Sequence, residues 1–238
     1  MNKAIYIFSL IIGFTFFSQV ASAQQNMLQK GQFAAGLRGG ILLPSMTFSP
    51  GIAQLSLNTQ TAGVIFQYFK EKKIGLQWEV NYETKGYQEA ISQGVALYKR
   101  EFDQVAVPVL AHIYFPIKRV HIFVNAGAQA NYLLDESSEV YGDLSEQRYD
   151  YFDREPHQLS VDLVVGGGLS VLTGIGHFQL EARYFAGMTD SLERPERTSS
   201  ESAYFQGANI SFAYLIPITG WKNNKTMGEL QEEKVKNQ

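Results

Sequence analysis

Ile74-Gly75-Leu76-Gln77-Trp78-Glu79-Val80-Asn81-Tyr82-Glu83-Thr84-Lys85 is the stretch on which the fold turns. Ile74, Leu76, Trp78, Val80, Tyr82 and Thr84 share one face of an extended chain. Gly75, Gln77, Glu79, Asn81, Glu83 and Lys85 share the other. Side chains alternate across a pleated strand, whereas a helix repeats every ~3.6 residues, so this period of two specifies a strand with one apolar face.

The same alternation recurs outward from this run, giving strands at 32–43, 60–69, 74–85, 100–115, 120–133, 157–172, 177–188 and 203–215. The connections alternate as well. Lys70–Lys73, Pro116–Arg119 and Thr173–Gly176 are tight turns, while 44–59, 86–99, 134–156 and 189–202 are long and polar. A strand of ~11 residues rises ~36 Å and, tilted by ~40°, covers ~28 Å, which matches the ~25 Å apolar band of an outer-membrane barrel. Tyr68, Phe69, Tyr82, Phe115, Tyr132, Tyr204 and Tyr214 fall near strand ends, where aromatic belts belong. The expected fold is all-β: an eight-stranded antiparallel up-and-down transmembrane β-barrel with short periplasmic turns, long extracellular loops and both termini periplasmic. A soluble lipocalin-like barrel is the rival, and it would turn the apolar faces inward.

The ends fit an envelope protein. Lys3, the apolar run Ala4 to Phe17 and Ala21-Ser22-Ala23 form a signal peptide over residues 1–23, leaving 24–219 for the barrel. Residues 220–238 are charged, lack an apolar stripe and read as a periplasmic tail. The chain has no cysteine, which excludes disulfides, an N-terminal lipid anchor on cysteine and thiolate metal sites. A formal net charge of -3 gives no reason to expect nucleic acid.

Polar faces are expected to line the lumen, which places Arg38, Gln77, Glu79, Asp162, Glu181 and Arg183 inside. A barrel of eight strands is only wide enough for side chains to fill, and a lone buried charge is costly. Arg38, Glu79, Asp162, Glu181 and Arg183 are therefore expected to form a lumen charge network. Its centre is a plug of Arg38 and Arg183 bonded to Glu79 and Glu181. Pro108 lacks an N–H for the ladder and predicts a bulge or local break in its strand.

Catalytic and metal chemistry find no frame here. His112, His121, His157 and His177 show no H-x-x-x-H spacing, and Tyr114, Phe123, Leu159 and Gln179 stand two positions after them. The His-x-Ser pairing of outer-membrane lipid A deacylases is therefore missing. No cofactor or metal is expected. Loop 134–156 interleaves carboxylates with aromatics, and Asp143, Tyr149, Tyr151 and Asp153 are its candidate binding residues for a cation, a sugar or a protein. Arg194 and Arg197 in loop 189–202 are expected to pair with it across the barrel mouth.

Four places carry a family likeness. They are Tyr82-Glu83-Thr84-Lys85-Gly86-Tyr87; Val105-Ala106-Val107-Pro108-Val109-Leu110; Asn125-Ala126-Gly127-Ala128; and Leu180-Glu181-Ala182-Arg183-Tyr184 with Gly187-Met188-Thr189-Asp190. In order and at the right strands, they resemble the PorT-like outer-membrane β-barrel family. The resemblance implies an integral outer-membrane barrel of the Gram-negative envelope without catalytic residues. It associates the chain with protein secretion by the type IX pathway; envelope maintenance is the other role expected of a non-enzymatic barrel that acts through its loops or tail. Its expected partners are outer-membrane lipid and secretion or envelope proteins reached through the loops or the 220–238 tail. Relatives commonly stop at the last strand, and here a charged tail follows. The alternatives are a narrow small-solute channel and a lipid-modifying enzyme.

Overall fold

Lipid offers no hydrogen bonds to backbone N–H and C=O groups, so a sheet that crosses a membrane must close on itself. The computed structural model describes residues 31–49, 54–55, 57–71, 73–91, 96–117, 120–141, 155–173, 176–192 and 202–219. Its strands are β1 (Gln32–Ser49), β2 (Gln54–Leu55), β3 (Thr59–Phe69), β4 (Ile74–Ile91), β5 (Ala96–Ile117), β6 (Val120–Tyr141), β7 (Leu159–Leu172), β8 (His177–Gly187) and β9 (Ser202–Thr219). All described pairings are antiparallel. Apart from the two-residue β2, each long strand pairs with its neighbours in sequence, and β1 pairs with β9 to close the ring. The result is an eight-stranded barrel, with no helix among the described residues. Phe33 lies opposite Thr219, so the described chain begins and ends at the short-turn rim.

The faces sort by period. Leu76, Val80, Leu163, Val165, Leu180 and Phe212 point outward and are exposed, whereas Gln77, Glu79, Asn81, Glu83 and Lys85 are buried in the lumen. The lipocalin-like arrangement, with the apolar face inward, is thereby excluded. Outward polarity is expensive at mid-membrane. Val165→Arg, at the middle of β7, is expected to cost about 2–4 kcal/mol, and Thr84→Arg near the rim about 0–1 kcal/mol. Urea titration of the barrel refolded into lipid vesicles measures both.

The strands run further than their apolar patterns. β1 extends to Ser49, and β4, β5 and β6 continue to Ile91, from Ala96 and to Tyr141, so much of the expected loops 44–59, 86–99 and 134–156 is sheet. Past Tyr82, Val105 and Tyr132 the outward positions turn polar (Thr84, Gln88, Glu101, Asp103, Asp135, Glu139), yet hydrogen-bonded pairing goes on from Tyr87↔Arg100 to Ile91↔Ala96. β2 pairs with Gln88 and Glu89 on the edge of this raised sheet. Once beyond lipid, a sheet needs no apolar outer face to persist, only a packed inner one.

Pro108 leaves the β5–β6 register intact, opposite Gln129. On its other side, pairing with β4 lapses between Trp78↔Val109 and Asn81↔Ala106. The expected break is thus one-sided, without a bulge at the proline. The irregularity in β5 falls instead between Asp103 and Gln104.

Candidate functional site

Strand parity fixes which residues enter the lumen, and register fixes which of them meet. β4 delivers Gln77, Glu79 and Asn81; β8 delivers Gln179, Glu181 and Arg183; β1 delivers Arg38. Arg183 bridges both carboxylates. Its Nη2 lies 2.5 Å from Glu79 Oε1, its Nη1 3.0 Å from Glu79 Oε2, and its Nε 2.6 Å from Glu181 Oε1. Arg38 Nη1 donates to Glu79 Oε2 at 2.6 Å and stands 3.9 Å from Glu181 Oε2, while its Nη2 donates to Asn209 Oδ1 at 2.6 Å. Asn81 Nδ2 donates to Glu79 at 2.8 Å; Gln77 also donates to Glu79, and Asn125 to Glu181. Two guanidiniums meet two carboxylates, so the group is formally neutral, and every member is at most 4% exposed at its side chain. Charges this deep persist only when paired and hydrogen-bonded.

β7 makes room for this group by carrying none of its bulk. Gly166 lies opposite Arg183 and Gly168 opposite Glu181. A Cβ on Gly166 would meet the Arg183 Cγ at 2.7 Å. Asn125 also reaches His112, whose Nε2 is 2.9 Å from the amide nitrogen and whose Nδ1 is 2.8 Å from the Tyr114 hydroxyl.

A second, separate group sits nearer the long-loop end. Lys85 Nζ lies 2.5 Å from Asp162 Oδ2, Asn131 Nδ2 donates to the same oxygen at 2.8 Å, and the ammonium stands 4.6 Å over the Phe185 ring. Arg100 pairs with Glu136 above it. Asp162 is thus not a member of the central network, whose contacts come from β1, β4, β6, β8 and β9. Its partner Lys85 is on the lumen-facing side of the alternation, but its pairing depends on which residue faces it across the barrel.

The lumen is also less polar than the alternation alone implies. Ala34, Ile65, Phe69, Tyr114, Phe123, Leu172 and Leu215 pack together at the short-turn end. Leu42, Met46, Tyr87, Tyr98, Phe102, Phe185, Leu192 and Phe205 pack at the long-loop end. Leu192 comes from the connection after β8, which is tied to the start of β7 by a bridge to Pro156 and by His157 N donating to Ser191 O at 3.1 Å. Phe69, expected in the aromatic belt, is instead buried in the lumen beside Tyr114 and Phe123, whose inward parity was the one sign of this tier in the sequence. His121 and His177 are buried near the short-turn rim and His157 is exposed. Asp143, Tyr149, Tyr151, Asp153, Arg194 and Arg197 lie outside the described residues, as do segments 1–23 and 220–238.

The model of the outer membrane protein beta-barrel domain family matches residues 17–193. No curated protein matches the chain. Similar solved structures include OprG of Pseudomonas aeruginosa, at 12% identity and a TM-score of 0.49, covering 79% of this chain and 97% of that one. Neisserial surface protein A is 13% identical with a TM-score of 0.40, covering 78% of this chain and 97% of its own. AlkL, solved in lipid bilayers, is 14% identical with a TM-score of 0.43, covering 84% and 97%.

Proposed function

The chain belongs to the outer membrane protein beta-barrel domain family, and we propose that it is a sealed, non-enzymatic barrel that works through the surfaces it presents outside the membrane. The observation that carries this reading is the filling of the lumen in tiers, with a neutral ionic group held between two apolar clusters. An ion entering from the short-turn rim meets packed aromatic rings before it meets the central group, and one entering from the long-loop rim meets the Arg100–Glu136 and Lys85–Asp162 pairs, each already neutralised, among the aromatic side chains of that end. The guanidiniums and carboxylates it would need are already committed to one another. In this reading the short turns and both chain ends are periplasmic, and the raised β4–β5–β6 sheet stands outside the cell. Loop contacts and the charged segment 220–238 then serve a partner. The PorT-like resemblance favours protein secretion as the process served, with envelope maintenance the other role such contacts could have.

Planar-bilayer recording of the purified full-length protein tests the seal. The expected result is no steady conductance at moderate voltage. A large, sustained open level would defeat the sealed reading and favour a small-solute channel.

A further inference from the structure

The outer wall is not smooth. A concavity of about 680 Å³ opens on it across β1, β3, β4 and β5, near the long-loop rim. Its floor is Gly39 and Ala62, which are opposite each other in the β1–β3 ladder, and Ala62 is in turn opposite Tyr82. Its lip carries Thr84, Glu101 and Asp103, with Asn58 and Gln60 on the other side. The size lies within the ~300–1,000 Å³ typical of small-molecule sites.

Gly39 is the telling residue. On β1 it interrupts an outward row whose neighbours, Leu37 and Ile41, are 70% and 56% exposed. Inward-facing Gly36 and Gly127 have no room for a side chain, because a Cβ would come within 2.0 Å of a neighbouring backbone oxygen. A Cβ on Gly39 would meet nothing closer than Thr61 O at 3.8 Å. Wall packing therefore does not demand glycine at 39, and its effect is to keep the trough open.

The trough is amphipathic along its length. Its floor lies among residues of the apolar band, and its lip lies where outward positions have turned polar. The lip holds acceptors in fixed positions. Thr84 Oγ1 donates to Asp103 Oδ1 at 2.6 Å, and Lys99 Nζ holds Glu101 Oε2 at 2.7 Å. A carboxylate has about four acceptor positions, so each keeps capacity for further donors. The lining has two carboxylates and no lysine or arginine, and the neighbouring Lys99 ammonium is engaged with Glu101 and offsets only one of them, so the lip keeps a net negative charge that disfavours a phosphate and suits a headgroup that offers hydroxyls. We propose that this groove binds a membrane lipid with an uncharged, sugar-bearing headgroup: one acyl chain lies over Gly39 and Ala62, and the sugar hydroxyls donate to Asp103 and Glu101. The proposal does not depend on whether the lumen is sealed.

Native mass spectrometry tests it. The full-length barrel is released from nanodiscs holding equal amounts of monogalactosyl diacylglycerol and phosphatidylglycerol with matched acyl chains. Two charge-assisted hydrogen bonds predict preferential retention of the galactolipid by about a hundredfold or more. Gly39→Trp fills the floor, and the double variant Asp103→Asn with Glu101→Gln weakens the lip while keeping its shape. Both should abolish the preference while preserving the heat-modifiable gel shift of a folded barrel. Equal retention, a preference for phosphatidylglycerol, or an unchanged preference in Gly39→Trp would overturn the proposal. So would displacement of the lipid by an equal concentration of methyl β-galactoside, which would assign the site to soluble sugar.

Discussion

Barrels carrying Arg183→Met are expected to lose about 3–5 kcal/mol of stability, read as a lowered urea midpoint for protein refolded into vesicles. Arg183 contacts both carboxylates of the central group, reaching Glu79 at 2.5 and 3.0 Å and Glu181 at 2.6 and 2.8 Å. Without it, Arg38 alone faces two carboxylates, and it lies 3.9 Å from the second. One positive charge against two negative leaves a buried net charge of -1, in a place where water cannot compensate. The loss should follow from that imbalance and not from lost packing. Arg183→Met combined with Glu181→Gln, which restores one charge of each sign, should recover most of it. Arg183→Lys should fall between, because a single ammonium cannot bridge two carboxylates as a planar fork does. A loss below about 1 kcal/mol for Arg183→Met would mean that the ionic group does not hold the lumen together.

Much of this was readable from the chain, and what was not has a definite physical cause. The alternation from Ile74 to Lys85 assigns inside and outside correctly because lipid and lumen impose opposite demands on neighbouring residues. It fails at Gln88 and Lys99, where the strand has left the lipid and both faces carry polar groups, so sheet reads as loop. Parity also places Asp162 and Lys85 in the lumen, yet it is silent on partners across the barrel. Those depend on strand tilt and stagger, which appear only when the ring is closed. That is why Asp162 belongs with Lys85 and not with Arg38. The apolar tiers are hidden for a related reason. Phe69, Tyr114 and Phe123 stand near strand ends, where an aromatic residue is equally consistent with a membrane belt. Only Tyr114 and Phe123 packing beside His112, and Phe69 packing on Tyr114, show them to be interior.

Gly168→Leu is expected to prevent the barrel from folding, a cost of about 5 kcal/mol or more, with no heat-modifiable band on a cold gel. A Cβ at Gly168 would sit 2.1 Å from the Leu180 backbone oxygen and 2.7 Å from the Phe123 ring. The ring belongs to the short-turn apolar tier and stacks on His112 with centroids 4.8 Å apart. The oxygen belongs to the β7–β8 pair, and Gly168 is paired there with Glu181, so moving the strand away would shift a carboxylate of the ionic group. Neither neighbour yields cheaply, and an eight-stranded ring has no spare lumen into which both could move. Gly39→Leu makes the same chemical change in a strand of the same wall, with its Cβ 3.8 Å from the nearest backbone oxygen and its side chain directed outward. It should fold with a change of less than about 1 kcal/mol. A barrel that tolerated both substitutions equally would show that β7 is not pressed against its neighbours. In that case the lumen could not be filled as tightly as its side chains require.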